Sequence, residues 1–427
     1  MLLAILFISV LVSVNAGILG GLAGLIPKWN PIDRIPPIPD LLSPNIPEDA
    51  QLTTMELITK NGFDGELHKV TTPDGYILEL HRITGKINST KSNVQKPVAF
   101  VMHGILCDSS SWVISGRNRS LAFVLADEGY DVWLGNARGG PYANTHVNST
   151  VDPNVYWNFS WHEIGTIDLP AMIEYIAKST GRKKMFYLGH SQGTTTFFVM
   201  ASERPEYQDY IEEMYAMAPI AYCGRLKSPF LQIVAQFSVG IDYVWDIFGY
   251  HEFNPKSDFI NAFEQLVCSE KAFTSPVCSN SMFLVSGFDP DQFDPALMPI
   301  ILGHVPATVS TKQIVHYAQL IKSGTFFLPG KFKQYDYGIL KNLKVYGSIN
   351  PPTYDLSNIK TPVHLYYSKN DWLSNVKDVE KLYSELSNPS GKTLIANPKF
   401  NHVDYVFAKD VRKLVYDLIL DEMKKKL

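Results

Sequence analysis

At 427 residues, with 45% hydrophobic and 19% charged side chains, the chain has the composition of a packed globular protein and not of a disordered or low-complexity polymer. A formal net charge of −4 provides no basic field for a phosphate backbone, which argues against nucleic acid as a partner. The length suits one large catalytic domain with an insertion as well as it suits two domains.

Residues Met1 to Val12 are almost wholly apolar and lead to small residues at Val14-Asn15-Ala16. This run is shorter than the roughly 18 to 20 residues that a spanning helix needs, so residues 1–16 read as a signal peptide and no transmembrane segment is expected. Residues 17–47 are rich in Gly and Pro, as in Arg34-Ile35-Pro36-Pro37-Ile38-Pro39, and read as an extended arm.

Turn chemistry at Pro73-Asp74-Gly75 separates Leu67–Thr71 from Tyr76–Ile83 and predicts a hairpin. Buried-strand candidates then recur at Val98–Met102, Asp131–Leu134, Lys184–Leu188, Met214–Met217, Val363–Tyr367 and Thr393–Ile395, with helical stretches at Leu121–Asp127 and Leu169–Lys178. The alternation predicts an α/β fold, a mostly parallel central sheet with helices on both faces. Between Tyr222 and Tyr354 the rhythm breaks into aromatic-rich helical sequence such as Phe230–Tyr250. The expected organisation is therefore a core of residues 48–221 and 355–427 with an inserted, mainly helical cap at 222–354.

The strongest local signal is Gly189-His190-Ser191-Gln192-Gly193, which follows the apolar run Met185-Phe186-Tyr187-Leu188. A strand, a sharp turn and a helix are the setting of a nucleophile elbow, where glycines on both sides admit the tight turn and the serine hydroxyl is thrust into a cleft. The chemistry also needs an acid and a base, in the chain order Ser, Asp, His, on loops after later strands. Asp371 follows Val363–Tyr367, and His402 follows Thr393–Ile395. Asp404 is too close in sequence to His402 to serve as the acid, and Asp378 reads as helical. Backbone donors for an oxyanion are expected at Gln192 and in the loop His103-Gly104-Ile105-Leu106, where spacing leaves Ile105 and Leu106 as alternatives. There is no phosphate loop, metal-ligand cluster or dinucleotide fingerprint, so no metal and no cofactor are expected.

Four sequons, at Asn88, Asn118, Asn148 and Asn158, are candidate N-glycosylation sites on an exported chain. Of the four cysteines, Cys107, Cys223, Cys268 and Cys278, proximity favours a Cys268–Cys278 disulfide.

The chain resembles the acid lipase family, which includes gastric and lysosomal acid lipases, from about Pro47 to the C-terminus. The likeness rests on Asp74-Gly75-Tyr76-Ile77-Leu78, His103-Gly104-Ile105-Leu106, Gly129-Tyr130-Asp131-Val132-Trp133-Leu134-Gly135-Asn136-Ala137-Arg138-Gly139, Gly189 to Gly193, and Asn401-His402 followed by Asp404. It implies the α/β-hydrolase fold, lipase or sterol-esterase activity on a lipid ester at a lipid–water interface, and a cap with a lid. It also implies the Ser191, Asp371 and His402 triad, the second oxyanion donor at Leu106, and the Cys268–Cys278 pair. The chain departs from the family at Cys107 after the oxyanion loop, at Ser286 where relatives often carry a third cap cysteine, and in the Pro-rich arm. Rival readings are a non-catalytic lipid carrier on the same fold and another serine hydrolase such as a peptidase. The sequence leaves the oligomeric state open, and secretion and delivery to a lysosome are both compatible with it.

Overall fold

The computed structural model of the chain describes residues 46–88, 95–229, 231–232, 235, 251–253, 285–324 and 330–427. The expected signal peptide, nearly all of the arm, Cys268, Cys278 and the aromatic stretch 236–250 lie outside the described residues.

In chain order the strands are β1 (Phe63–Thr71), β2 (Tyr76–Lys86), β3 (Val98–Met102), β4 (Asp131–Leu134), β5 (Thr145–His146), β6 (Met185–His190), β7 (Ile211–Met217), β8 (Glu252–Phe253), β9 (Val309–Ser310), β10 (Val363–Tyr367) and β11 (Pro389–Leu394). The principal helices are α1 (Thr54–Lys60), α2 (Leu121–Asp127), α3 (Leu169–Thr180), α4 (Gln192–Glu203), α5 (Met298–His304), α6 (Thr311–Lys322), α7 (Ile339–Tyr346), α8 (Val376–Glu385), α9 (Asp404–Phe407) and α10 (Asp417–Lys424). One sheet runs in the order β1-β2-β4-β3-β6-β7-β10-β11, with β5 beside β2, and β8 and β9 pair as a separate ribbon. The β1–β2 hairpin is antiparallel and β2 pairs antiparallel with β4, whereas every pairing from β4 to β11 is parallel.

The period of two along the strands sorts the core into two layers. Phe100, Met102, Trp133, Tyr187, Met214 and Leu365 face α3, α4 and α8, while Ala99, Val101, Leu134, Phe186, Leu188 and Tyr366 face α1, α2 and α10. Each large apolar side chain so enclosed contributes about 1.5–3 kcal/mol. A chain buried on both sides shows continuous apolar runs and not alternation, as β3, β4 and β10 do.

The edge strands differ from expectation for the same reason. β1 begins at Phe63, earlier than the expected Leu67, and β11 begins at Pro389, earlier than Thr393. β11 alternates between partly buried and exposed side chains, and in β1 exposed polar residues separate the buried Phe63 and Val70, so neither start lies in a continuous apolar run.

Helix ends follow local chemistry. α1 starts in a capping box in which Thr53 accepts from the Glu56 amide and Glu56 accepts from the Thr53 amide, a cap typically contributing about 1 kcal/mol. α3 carries Pro170 in its first turn and ends at Gly181 in the left-handed region, where glycine has no Cβ clash.

The segment after β4 ties the sheet edge together. Asn136 Oδ1 accepts from the Ser109 amide at 2.9 Å while its Nδ2 donates to the Glu79 carbonyl at 3.0 Å. Arg138 is buried and donates to Asp168 from Nε at 2.8 Å and Nη2 at 2.6 Å, and to Asp74 from Nη1 at 2.6 Å. Its guanidinium lies 4.0 Å from the centre of the Tyr76 ring. One cation thus joins the hairpin turn, the post-β4 loop and the turn entering α3. Asp168 is fully buried and Asp74 is 37% exposed at its side chain, so Asp168→Asn is expected to cost about 3–5 kcal/mol and Asp74→Asn distinctly less. Urea unfolding of the two variants checks this, and equal losses would contradict the burial argument.

Candidate active site

Consecutive connections leave β3 towards opposite sides: β4 lies on one side and β6 on the other. The crevice beyond the carboxyl ends of β3 and β6 is therefore a topological switch point, the place where ligands bind in open α/β sheets. His103 and Gly104 leave β3 there, and Ser191 leaves β6.

Ser191 has φ 51° and ψ −117°, a backbone conformation that costs a non-glycine residue on the order of 1–3 kcal/mol. The turn is braced on every side. The Ser191 amide donates to the Met217 carbonyl at 3.1 Å, and the Ser191 carbonyl accepts from Thr194 Oγ1 at 2.7 Å. Tyr187 Oη donates to the Gly193 carbonyl at 2.8 Å. The glycines have a packing cause: a Cβ on Gly193 would stand 2.5 Å from the Met102 carbonyl oxygen, and one on Gly189 would stand 2.9 Å from the Gly193 backbone.

The three residues singled out in the sequence come together. Ser191 Oγ lies 2.8 Å from His402 Nε2, and His402 Nδ1 lies 3.0 and 2.9 Å from the two Asp371 oxygens. The carboxylate accepts, so Nδ1 carries the proton and Nε2 is left to accept from the serine hydroxyl. Asp371 is buried and held by the amides of Leu373 and Ser374 at 2.8 and 2.7 Å. Such a line can withdraw the hydroxyl proton as Oγ attacks a carbonyl carbon.

The rival carboxylates are engaged elsewhere. Asp378 lies on α8 and accepts from the Arg225 amide and Nη1 at 2.9 and 3.0 Å. Asp404 accepts from the Asn401 amide at 2.7 Å.

Gln192 is the first residue of α4, so its amide has no carbonyl partner within the helix, and its Nε2 donates to Gln313 Oε1 on α6 at 2.8 Å. Ile105 and Leu106 are both half-buried, and Leu106 has φ 61° while its carbonyl accepts from the Ala307 amide at 2.6 Å. A Cβ on Gly104 would stand 3.2 Å from Ser191 Cβ, which shows how closely this loop passes the serine. His103 Nε2 accepts from the Ala137 amide at 3.2 Å, and burial holds this imidazole below its ordinary pKa and therefore neutral. His190 donates from Nε2 to the His402 carbonyl at 2.9 Å, and burial pushes its pKa down to about 3.

Several site residues gave no sequence signal. The Ser286 carbonyl accepts from the amides of both Trp372 and His402, at 3.2 and 3.3 Å. Gly287, at φ 112°, packs so tightly that a Cβ would stand 2.2 Å from the Asn370 carbonyl oxygen. This part of the expected cap thus clasps the loops that carry Asp371 and His402 together. On the other side the Trp372 carbonyl accepts from the Lys227 amide at 2.7 Å, where the chain leaves the core. Within the expected cap, Phe288 packs on Trp372 with ring centres 5.5 Å apart. The sequon asparagines Asn88, Asn118, Asn148 and Asn158 are all exposed. Cys107 is half-buried and Cys223 buried, and burial pushes the Cys107 thiol up to about 12. Among the described residues no cluster of His, Cys, Asp and Glu has the arrangement of a metal site, and no helix is long and apolar enough to cross a membrane.

Behind His402 the carboxyl groups of Asp404 and Asp289 are both buried, and the two interact electrostatically. Burial, and then the neighbouring Asp289, push Asp404 well above its ordinary pKa of 3.8. Asn397 Nδ2 faces Asp289 at 3.2 Å, and Lys399 is paired with Asp291 at 2.7 Å. The folded chain therefore keeps a proton that the unfolded carboxyl releases, so this pair favours folding most below the ordinary value and less as pH rises through the raised one. Asp404→Asn keeps an acceptor for the Asn401 amide and a donor towards Asp289. It is expected to flatten the fall in thermal midpoint as pH rises above the ordinary carboxylate value, and a parallel fall in both proteins would place its origin elsewhere.

Two family models match the chain: a partial alpha/beta-hydrolase lipase region over residues 54–116 and the alpha/beta hydrolase fold over residues 98–265. The chain is 42% identical over 369 residues to Lipase 3 of Drosophila melanogaster, covering 86% of this chain and 92% of that one. It is 40% identical over 382 residues to Lipase 1 of the same fly, covering 89% and 82%. It is 37% identical over 383 residues to the gastric triacylglycerol lipase of Homo sapiens, covering 89% and 92%. Among solved structures, a lipase-like protein from Sulfolobus solfataricus matches with a TM-score of 0.52 at 13% identity, over 85% of this chain and 94% of that one. A soluble variant of the monoglyceride lipase of Saccharomyces cerevisiae matches with a TM-score of 0.50 at 16% identity, over 90% and 98%. The likeness to these structures shows an α/β-hydrolase fold.

Proposed function

The chain belongs to the acid lipase family of α/β hydrolases, the group that holds the gastric triacylglycerol lipases, and from that premise we propose that it cleaves neutral lipid esters, triacylglycerols or sterol esters, through Ser191, His402 and Asp371. It is a lipase, a carboxylic ester hydrolase. The observation that carries the residue assignment is the hydrogen-bonded line from Ser191 Oγ through His402 to Asp371.

In this reading His402 Nε2 takes the Ser191 proton as Oγ attacks the ester carbonyl, and Asp371 fixes the imidazole tautomer and balances the imidazolium. The oxyanion is held by the Gln192 amide and by the loop after β3, with Leu106 as the donor there, each typically contributing about a hundred- to a thousand-fold in rate. The tetrahedral intermediate collapses, the alcohol departs with the proton from His402, and the acyl group remains on Ser191. Water activated by His402 then attacks the acyl-enzyme, releasing the fatty acid and restoring the serine. No metal and no cofactor enter this scheme.

The same reading assigns residues 222–354 to a cap and pairs Cys268 with Cys278, both of which lie outside the described residues. The apolar leader of residues 1–16 and the four exposed sequon asparagines support secretion with N-glycosylation, and delivery to a lysosome would use the same features.

A lipid carrier on the same fold has no use for a serine held in a strained turn against a histidine, which favours the enzyme. Fatty-acid release from long-chain triacylglycerol and from cholesteryl ester, at about pH 5 and pH 7.5, is expected from the wild type. Ser191→Ala is expected to reduce it by roughly 10⁴-fold or more. A folded wild type inactive on both lipids and on a short-chain ester would favour the carrier, and cleavage of peptides in their place would favour the peptidase.

A further inference from the structure

Helix α7 is inverted relative to an ordinary surface helix. Its inward residue is Asn342, 1% exposed, whose side chain accepts from the Tyr337 amide at 2.9 Å and donates to Asp336 Oδ1 at 2.8 Å and the Ile349 carbonyl at 3.0 Å. Its outward residues are apolar: Leu340 is 79% exposed, Ile339 65%, Val345 52% and Leu343 46%, and Ile349 just beyond the helix is 54% exposed. An amphipathic helix normally turns its apolar stripe to the core and its polar face to water. Isolated exposed apolar residues are ordinary, but a cluster of this density on one short segment marks an interaction surface.

Helical geometry places Ile339 and Leu343 one turn apart on the same face, with Leu340 beside them. Lys341 and Lys344 are exposed around this strip, and residues 338–350 contain no Asp or Glu. The neighbouring carboxylate Asp336 is turned to Asn342 and to Lys333 at 3.0 Å. An apolar strip flanked by lysines complements a surface with a hydrocarbon interior and negative head groups.

The strip is also tied to the nucleophile turn. Tyr346 Oη donates to the Tyr335 carbonyl at 2.8 Å, Tyr337 Oη accepts from Lys312 Nζ at 3.1 Å, and the next residue of α6, Gln313, accepts from Gln192. We propose that Ile339, Leu340 and Leu343, flanked by Lys341 and Lys344, dock the protein on an anionic lipid–water interface, where its ester substrate resides. This rests on the lipase reading and adds to it the surface through which the enzyme meets aggregated substrate.

The test compares wild type with the double variant Leu340→Asp, Leu343→Asp, whose positions are exposed and whose folding is checked by thermal unfolding. Sedimentation with vesicles of phosphatidylcholine and phosphatidylglycerol, hydrolysis of emulsified triolein, and hydrolysis of dissolved monomeric p-nitrophenyl butyrate are the readouts. Vesicle partition and emulsion turnover are expected to fall about ten-fold or more, with monomer hydrolysis unchanged. Lys341→Glu with Lys344→Glu is expected to abolish the preference for phosphatidylglycerol. Unchanged partition would overturn the proposal, as would equal loss on the dissolved ester. So would a wild-type dimer that the double variant converts to monomer, since a second copy would then cover the strip. A wild type that hydrolyses no ester yet sediments with vesicles in a Leu340-dependent way would remove the lipase reading and leave the docking surface standing.

Discussion

The close passage of the β6–α4 turn against the end of β3 is the constraint on which the site depends. Gly193 lies so near the Met102 carbonyl that a single added carbon would collide with it, and Ser191 is thereby held at positive φ. A relaxed serine would lower the local strain but would move its hydroxyl off the line to His402. The surrounding hydrogen bonds from Tyr187, Thr194 and the Ser191 amide over-determine the turn, which is how a strained conformation persists in a stable fold. The order of the strands places this turn at the switch point, so the same topology that closes the core opens the crevice.

The candidate acid Asp371 and candidate base His402 stand on separate loops, and neither is held by the sheet alone. Ser286 and Gly287 bridge them from one side, and Lys227 braces the acid loop from the other. Ala307 similarly grips the loop after β3. Parts of the expected insertion itself therefore belong to the framework that aligns the candidate reacting groups, and a change in them is felt at the serine without touching substrate.

Legibility in the sequence followed burial. β3, β4 and β10 show their true limits because both faces are enclosed and their runs are mainly apolar, whereas β1 and β11 lie at the sheet edges, where polar residues interrupt the apolar signal. Ser191 is announced by flanking glycines whose spacing has a steric cause, and Asp371 and His402 by their position after strands. Gly287, Ser286 and Asp289 have no such local mark, because their roles arise from contacts with loops about a hundred residues away in sequence. The outward face of α7 is equally silent: Ile339, Leu340 and Leu343 have the spacing of a core stripe, and only the three-dimensional arrangement shows that Asn342 occupies the inside. The Asp74-Gly75 and Asn136-Ala137-Arg138 motifs that carried the family resemblance turn out to hold the buried cation network together.

The hydrogen bond between Ser191 and His402 closes a span of 211 residues, and that between His402 and Asp371 one of 31. Contacts so distant along the chain form late and slowly, since loop-closure entropy must be overcome before they stabilise anything. The reacting groups consequently come into register only when the C-terminal strands have docked on a sheet begun hundreds of residues earlier. A polypeptide interrupted during synthesis, or nicked between the elbow and the histidine and then separated, holds a serine but no base. Under the proposed mechanism, turnover would thus certify a molecule assembled through its last strand.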